Sequence, residues 1–168
     1  MSKGAPIKTT TDASVSATIA AYFCRLADTV GLPRSVALIY HSLFLAGDPL
    51  SFNEIVERSG LSKASASTGL KLLERMRALE QVIIPDDRRT YYRPELSLRR
   101  LVTGFIAESV NPGLDAGQRL LDQAETAADS TPDLDPLLSE RLTSLRHWHQ
   151  MTQDLLPVLD PGPDQTDP

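Results

Sequence analysis

Between Gly60 and Arg75 the chain reads GLSKASASTGLKLLER, where the polar side chains are hydroxyls and cations and Glu74 is the one carboxylate. Ser and Thr compete with the backbone for hydrogen bonds and are mediocre in helix interiors, but Ser62 suits the cap position of a helix running to about residue 79. Turning Ala66, Leu70 and Leu73 inward at 100° per residue leaves Ala64, Thr68, Lys71 and Arg75 outward, flanked by Ser65 and Ser67. A slim, hydroxylated and cationic face suits hydrogen bonding and ion pairing with a polyanion. Short side chains allow close approach to a DNA major groove, hydroxyls reach phosphates and base edges, and Lys63 and Lys71 add charge. The contact set is therefore Ser62, Lys63, Ser65, Ser67, Thr68, Lys71 and Arg75. A solvated first turn is the other reading, because Ser and Thr are common at helix starts in any case.

A second cationic pair, Arg88 and Arg89, follows in the turn-forming stretch Pro85-Asp86-Asp87-Arg88. It sits between strand-like Gln81-Val82-Ile83-Ile84 and Thr90-Tyr91-Tyr92-Arg93, which read together as a hairpin. Arg88 and Arg89 at its tip suit contact with a sugar–phosphate backbone, although Asp86 and Asp87 make a solvated turn of mixed charge an alternative.

The formal net charge of −5 argues against a nucleic-acid partner until it is divided along the chain. Residues 62–100 hold nine Lys and Arg against five Asp and Glu, whereas residues 101–168 hold three against twelve. A local anion-binding face thus coexists with an acidic whole. Apolar residues at 41% and charged residues at 23% match a water-soluble globular chain, and no apolar run approaches a membrane span. The N-terminal MSKGAPIKTTTDAS has no apolar signal core, so a cytoplasmic, nucleoid-associated protein is expected.

Other chemistries find little support. Cys24 is the only cysteine, which excludes an internal disulfide framework and a multi-cysteine zinc site; it reads as a small core residue, with a redox sensor as the alternative. His147 and His149 fall on different sides of a helix and His41 is the only other histidine, a poor ligand set, so no metal is expected. No Walker loop, dinucleotide turn, nucleophile elbow or H-E-x-x-H occurs, so neither an enzyme nor a cofactor is expected.

The elements that must position the two cationic stretches follow from periodicity. Helical spacing runs from about Ser14 to Thr29, Gly31 stops it, and Pro33 opens a nearly all-apolar second helix reaching about Ala46. Leu50-Ser51-Phe52 is a stub of strand, Ser51 caps a helix ended by Gly60, and the hydroxyl-rich helix follows. Gly69 in that helix implies a close approach to the helix beneath. After Pro94 a helix returns, Asn111-Pro112-Gly113 must break or kink it, and Thr131-Pro132 opens a last helix. The fold class is mainly α with a small β-hairpin wing: a winged helix-turn-helix plus C-terminal dimerisation helices. Its parts are a flexible arm over 1–12, a winged domain over 13–95, a helical dimerisation region over 96–157 and a disordered tail over 158–168.

GLPRSVALIYHSLFLAGDPLSFNEIVERSGLSKASASTGLKLLERMRALEQVIIPDDRRTYYRPE resembles the GbsR branch of the MarR-type winged-helix transcriptional regulators. The resemblance rests on Gly31-Leu32-Pro33-Arg34, Ile39-Tyr40, Pro49-Leu50-Ser51, Leu61-Ser62-Lys63, Leu73-Glu74-Arg75 and the stretch from Val82 to Tyr91-Tyr92. It implies a homodimeric repressor that binds a palindromic operator in double-stranded DNA, with base and phosphate contacts from the helix at Ser62 and wing contacts from Arg88 and Arg89. It departs from the family in having no glycine in the wing turn and in the small Ala66. Relatives that respond to quaternary ammonium compounds imply a small-molecule effector, yet the candidate cage aromatics Tyr22, Phe23, Tyr40, Phe44, Phe105 and Trp148 all lie on apolar stripes and read first as core. The ligand-binding residues stay unassigned. A winged-helix adaptor that binds protein and no specific DNA is the competing function.

Overall fold

The computed structural model of the protein describes residues 10–159. In chain order its elements are α1 (Thr10–Thr29), α2 (Arg34–Phe44), β1 (Leu50–Ser51), α3 (Phe52–Ser59), α4 (Lys63–Arg75), β2 (Leu79–Ile83), β3 (Thr90–Pro94), α5 (Leu98–Phe105), a π-helical turn (Ile106–Val110), α6 (Asn111–Asp129) and α7 (Pro136–Leu159). The described residues form two compact units that divide between Leu101 and Val102, inside α5. Of the arm expected over 1–12, residues 1–9 lie outside the described residues and residues 10–12 are already helical. Of the tail expected over 158–168, residues 160–168 lie outside them, and residues 158 and 159 belong to α7.

The first unit is built around α2. Its Ile39 and Leu43, with Ile55 of α3, are fully buried, and Ala66, Leu70 and Leu73 of α4 close over them. A Cβ added to Gly69 would stand 2.5 Å from Ile39 Cδ1 and 3.6 Å from Ser35 Oγ, so the missing side chain is what lets α4 settle onto α2. The strand order is β1-β3-β2, all antiparallel, with Ser51 opposite Tyr91 and Val82 opposite Tyr91 on the other side. Tyr40 Oη donates to the Glu95 backbone carbonyl at 2.5 Å, tying the end of β3 to α2. Burial, then the Glu95 charge, pushes the Tyr40 phenol up to about 12, so it stays a donor throughout the physiological range.

Several sequence expectations shift. The fourth helix stops at Arg75, short of the expected 79, because Arg77 takes a left-handed conformation (φ 53°) and Leu79 already starts β2. The wing turn solves its lack of glycine with Asp86 at φ 65°, a left-handed position that Asp tolerates better than most residues. Asn111-Pro112-Gly113 does not stop the helix. The preceding turn widens to π, Asn111 N–H bonds to the Ile106 carbonyl, and Pro112 falls in the first turn of α6, where its missing donor matters least. The last helix begins at Pro136, five residues after Thr131.

In the second unit α6 packs on α7. Arg146 of α7 bridges Asp122 at 2.8 Å and Glu125 at 2.6 Å on α6, and Gly117 faces the His149 ring. Neither α6 nor the described side chains of α7 include a fully buried residue. Leu138, Leu145, Trp148 and Leu155 form one exposed stripe along α7. In the first unit, Val15, Tyr22 and Leu26 form another along α1, and exposed Val30 follows just past its end. The expectation that the aromatics fill the core holds for Tyr40, and for Phe23 in part through edge contacts with Tyr40 and Phe44. It fails for Tyr22 at 64% exposed, Trp148 at 61% and Phe44 at 43%. Cys24 is half-buried rather than a full core residue.

Gly69→Ala should lower stability by about 1–2 kcal/mol, since overpacking against fully buried Ile39 outweighs a helix-propensity gain of about 1 kcal/mol. Urea denaturation with an unchanged m-value checks it; a midpoint at or above wild type would contradict the close packing.

Candidate nucleic-acid interface

The helix-turn-helix is set from its caps inward. Ser51 and Glu54 form a capping box at the start of α3: Glu54 Oε2 accepts from Ser51 N–H at 2.8 Å while Ser51 Oγ accepts from Glu54 N–H. The Ser51 side chain and then its N–H hold the Glu54 carboxyl below the usual carboxylate range. Gly60, left-handed at φ 67°, ends α3 by donating its N–H to the Val56 carbonyl. Ser62 then caps α4, its Oγ accepting from Ser65 N–H at 3.2 Å and lying 3.0 Å from Ser65 Oγ as a donor.

The turn-and-cap arrangement aims α4 as its periodicity predicts. Ala66, Gly69, Leu70 and Leu73 face the core, whereas Ser62, Lys63, Ala64, Ser65, Thr68, Lys71 and Arg75 are exposed. Ser67 is half-buried and lies at the margin of the face. Lys63 and Lys71 make no ion pair among the described residues, so both present an uncompensated charge. Ser65 accepts from Ser62, which leaves its own proton free for a further acceptor.

At the wing the two arginines part company. Arg89 grips Asp87 through both carboxylate oxygens, Nη2 lying 2.6 Å from Oδ2 and Nε 3.0 Å from Oδ1. The Arg89 N–H bonds to the same carboxylate at 2.9 Å, Tyr91 Oη donates to it at 2.8 Å, and the guanidinium lies 5.2 Å from the Tyr91 ring centre. The Arg89 side chain, then its N–H, holds the Asp87 carboxyl well below the usual carboxylate range. Arg89 is therefore an internal brace of the wing with its charge neutralised. Arg88 is exposed and makes no ion pair among the described residues, so it is the wing's available cation. Sequence reasoning weighed Asp87 only as a counter-charge; its spacing of two from Arg89 and four from Tyr91 in a tight turn was the signal of a brace.

Cross-strand pairing takes up further cations. Arg93 bonds to Glu80 at 2.6 Å, and Arg100 bonds to Glu95, whose carboxylate is otherwise buried. The cationic excess of the segment thus concentrates in Lys63 and Lys71 on the helix, Arg77 behind it and Arg88 on the wing. Among the described residues no group of His, Cys, Asp and Glu is arranged to hold a metal, and no helix is long and apolar enough to cross a membrane.

Residues 43–90, from the end of α2 through the wing, match the family model described as the MarR family. The MarR-type part of the sequence resemblance is thereby supported, and the match does not single out the GbsR branch. No curated protein matches the chain. Among solved structures, one described as a transcriptional regulator is similar at 21% identity and a TM-score of 0.54, covering 88% of this chain and 94% of that one, which establishes a shared fold. A variant of Staphylococcus aureus MepR bound to an oligodeoxyribonucleotide aligns at 17% identity and a TM-score of 0.42, over 85% of this chain and 94% of that one. NadR in complex with 4-hydroxyphenylacetate aligns at 16% and 0.41, over 84% and 98%. The winged helix with its three-stranded sheet is thus a fold shared with that transcriptional regulator, and residues 43–90 within it are the part that matches the MarR family model.

Asp87→Ala should release Arg89 and loosen the wing tip. Trypsin cleavage after Arg88 and Arg89 should become several-fold faster while the melting temperature stays near wild type, because an exposed ion pair contributes little to global stability. Unchanged cleavage would show that Asp87 braces nothing.

Proposed function

We propose that this chain, with its MarR-type winged helix over residues 43–90, is a homodimeric, sequence-specific DNA-binding repressor. The observation that carries the reading is the outward row of α4: Ala64, Thr68, Lys71 and Arg75 are exposed together, with small and hydroxyl-bearing neighbours and no carboxylate among them. A helix with that face enters a major groove to the depth its short side chains allow, Lys71 meets phosphate or a base edge, and Ser62 and Lys63 engage the backbone at the helix start. The wing adds a sugar–phosphate contact through Arg88, with Arg89 held in the brace.

Dimerisation is supported by the unburied apolar stripes of α1 and α7, which a chain folding alone would leave in water. A two-fold pair presents two recognition helices about one helical turn apart, matching a palindromic operator. Occupation of such a site represses by excluding other proteins from it. A small-molecule effector would act by favouring a dimer whose helices no longer match that spacing. A protein-binding adaptor is the alternative, and it does not need Lys63 and Lys71 to stand without acidic partners.

Lys71→Ala combined with Arg88→Ala should abolish retention of duplex DNA while sedimentation still reports a dimer. Wild-type binding should also weaken steeply between 50 and 200 mM salt, as release of phosphate counterions requires. Salt-insensitive or unchanged binding by the double variant would favour the adaptor. Leu145→Glu, in the α7 stripe, should shift the sedimenting species to monomer and weaken DNA binding at least tenfold through loss of two-site contact. A stable Leu145→Glu dimer would place the interface elsewhere.

A further inference from the structure

Gly31-Leu32-Pro33-Arg34 is a conformationally fixed stretch that the α4 face and the wing leave without a role. Gly31 is left-handed at φ 73°, Leu32 N–H returns to the Ala27 carbonyl at 2.8 Å, and Pro33 holds φ −60° and ψ 140°. Arg34 is thereby set as the first residue of α2, with no acidic residue in that turn. Its neighbour Ser35 lies directly on the recognition helix: the Cβ position of Gly69 is 3.6 Å from Ser35 Oγ and 3.7 Å from its carbonyl carbon. The first turn of α2 is therefore held against the middle of α4 at buried Gly69, about 100° around the helix from exposed Thr68. Arg34 is exposed and makes no ion pair among the described residues.

We infer that Arg34 is a further phosphate-binding residue of the DNA interface, stationed on the flank of the recognition helix by the close α2–α4 packing at Gly69. The inference rests on the DNA-binding reading. A helix with its side chains is about 10–12 Å across and a B-DNA major groove about 12 Å wide, so α4 fills the groove and the sugar–phosphate ridges run along its sides. An element packed about 8–10 Å to the side of α4 stands over a ridge and not over base edges. Helical Cα–Cβ bonds tilt toward the N-terminus, so the Arg34 side chain extends past the start of α2, where no carboxylate of that turn competes for it. Its planar fork of donors suits a phosphate's paired oxygens. Arg34 then contributes affinity and register, while the α4 face contributes sequence readout.

The test is fluorescence anisotropy of the full chain on a labelled 30-bp mixed-sequence duplex from 50 to 200 mM salt. It compares wild type, Arg34→Ala, Arg34→Lys, and Arg25→Ala as an equal loss of charge at an exposed residue of α1. Arg34→Ala should weaken binding about tenfold and make the salt slope shallower by about two, one phosphate from each of two symmetric copies. Arg34→Lys should keep most of the slope and Arg25→Ala all of it, with melting temperatures unchanged throughout. Wild-type behaviour of Arg34→Ala, or an equal loss in Arg25→Ala, would overturn the assignment of Arg34 and leave the DNA-binding reading standing. Absence of wild-type binding at 50 mM salt would overturn both.

Discussion

The structure of the first unit depends on one steric allowance: at Gly69 two helices meet with no side chain between them. Ile39 fills the space that a methyl would need and is wholly buried in doing so. A glycine inside a helix costs roughly 1 kcal/mol against alanine, and the core contact it permits offsets that. The orientation of α4 is fixed by the same contact. With Ala66, Gly69, Leu70 and Leu73 pressed on α2, the hydroxyl and cationic side chains have nowhere to point except outward. The exposed face of α4 and the first turn of α2 are therefore held together as one packed body.

Around that body, carboxylates decide which cations remain available. Asp87 takes Arg89, Glu80 takes Arg93 and Glu95 takes Arg100. The exposed pairs among these, Arg89–Asp87 and Arg93–Glu80, add little to stability. What they do is geometric: they brace the wing tip, hold the hairpin strands together and fix the start of α5. Lys63, Lys71 and Arg88 are left outside the pairing, all on the helix start, the outward helix face and the wing tip. A chain with a formal charge of −5 can thus present a local positive surface, because most of its acids lie beyond residue 100.

Much of the first unit was legible because local chemistry and tertiary packing agree there. Ser51, Gly60, Ser62 and Gly69 each do structurally what their residue type does best, so caps, turn and close approach could be placed from sequence. The misses share a cause, which is backbone adaptation at residues not specialised for it. Arg77 and Asp86 adopt left-handed conformations without being glycine, so the end of α4 was misplaced, and the wing turn, legible at Pro85–Arg88, gave no sign of which residue bends it. Pro112 is accommodated by widening the turn before it, an event set by hydrogen-bond geometry rather than by any residue preference. The division of labour between Arg88 and Arg89 was equally hidden, since it depends on which side chain the curled turn brings to Asp87. Exposure of Tyr22 and Trp148 was illegible for another reason: an apolar stripe reads alike whether its own chain or another covers it.

The hydroxyl pair at the start of α4 bears on how selective such a face can be. Ser62 and Ser65 lie within hydrogen-bonding distance of each other, and each O–H rotates freely enough to offer either a proton or a lone pair. A rotor of that kind satisfies an adenine amino group as readily as a thymine carbonyl, so it checks that a polar partner is present without asking which one. Under the proposed DNA-binding role, bases beneath this end of the helix would be free to drift in identity, and discrimination between targets would fall to the fixed-polarity ammonium groups and to the local flexibility of the duplex.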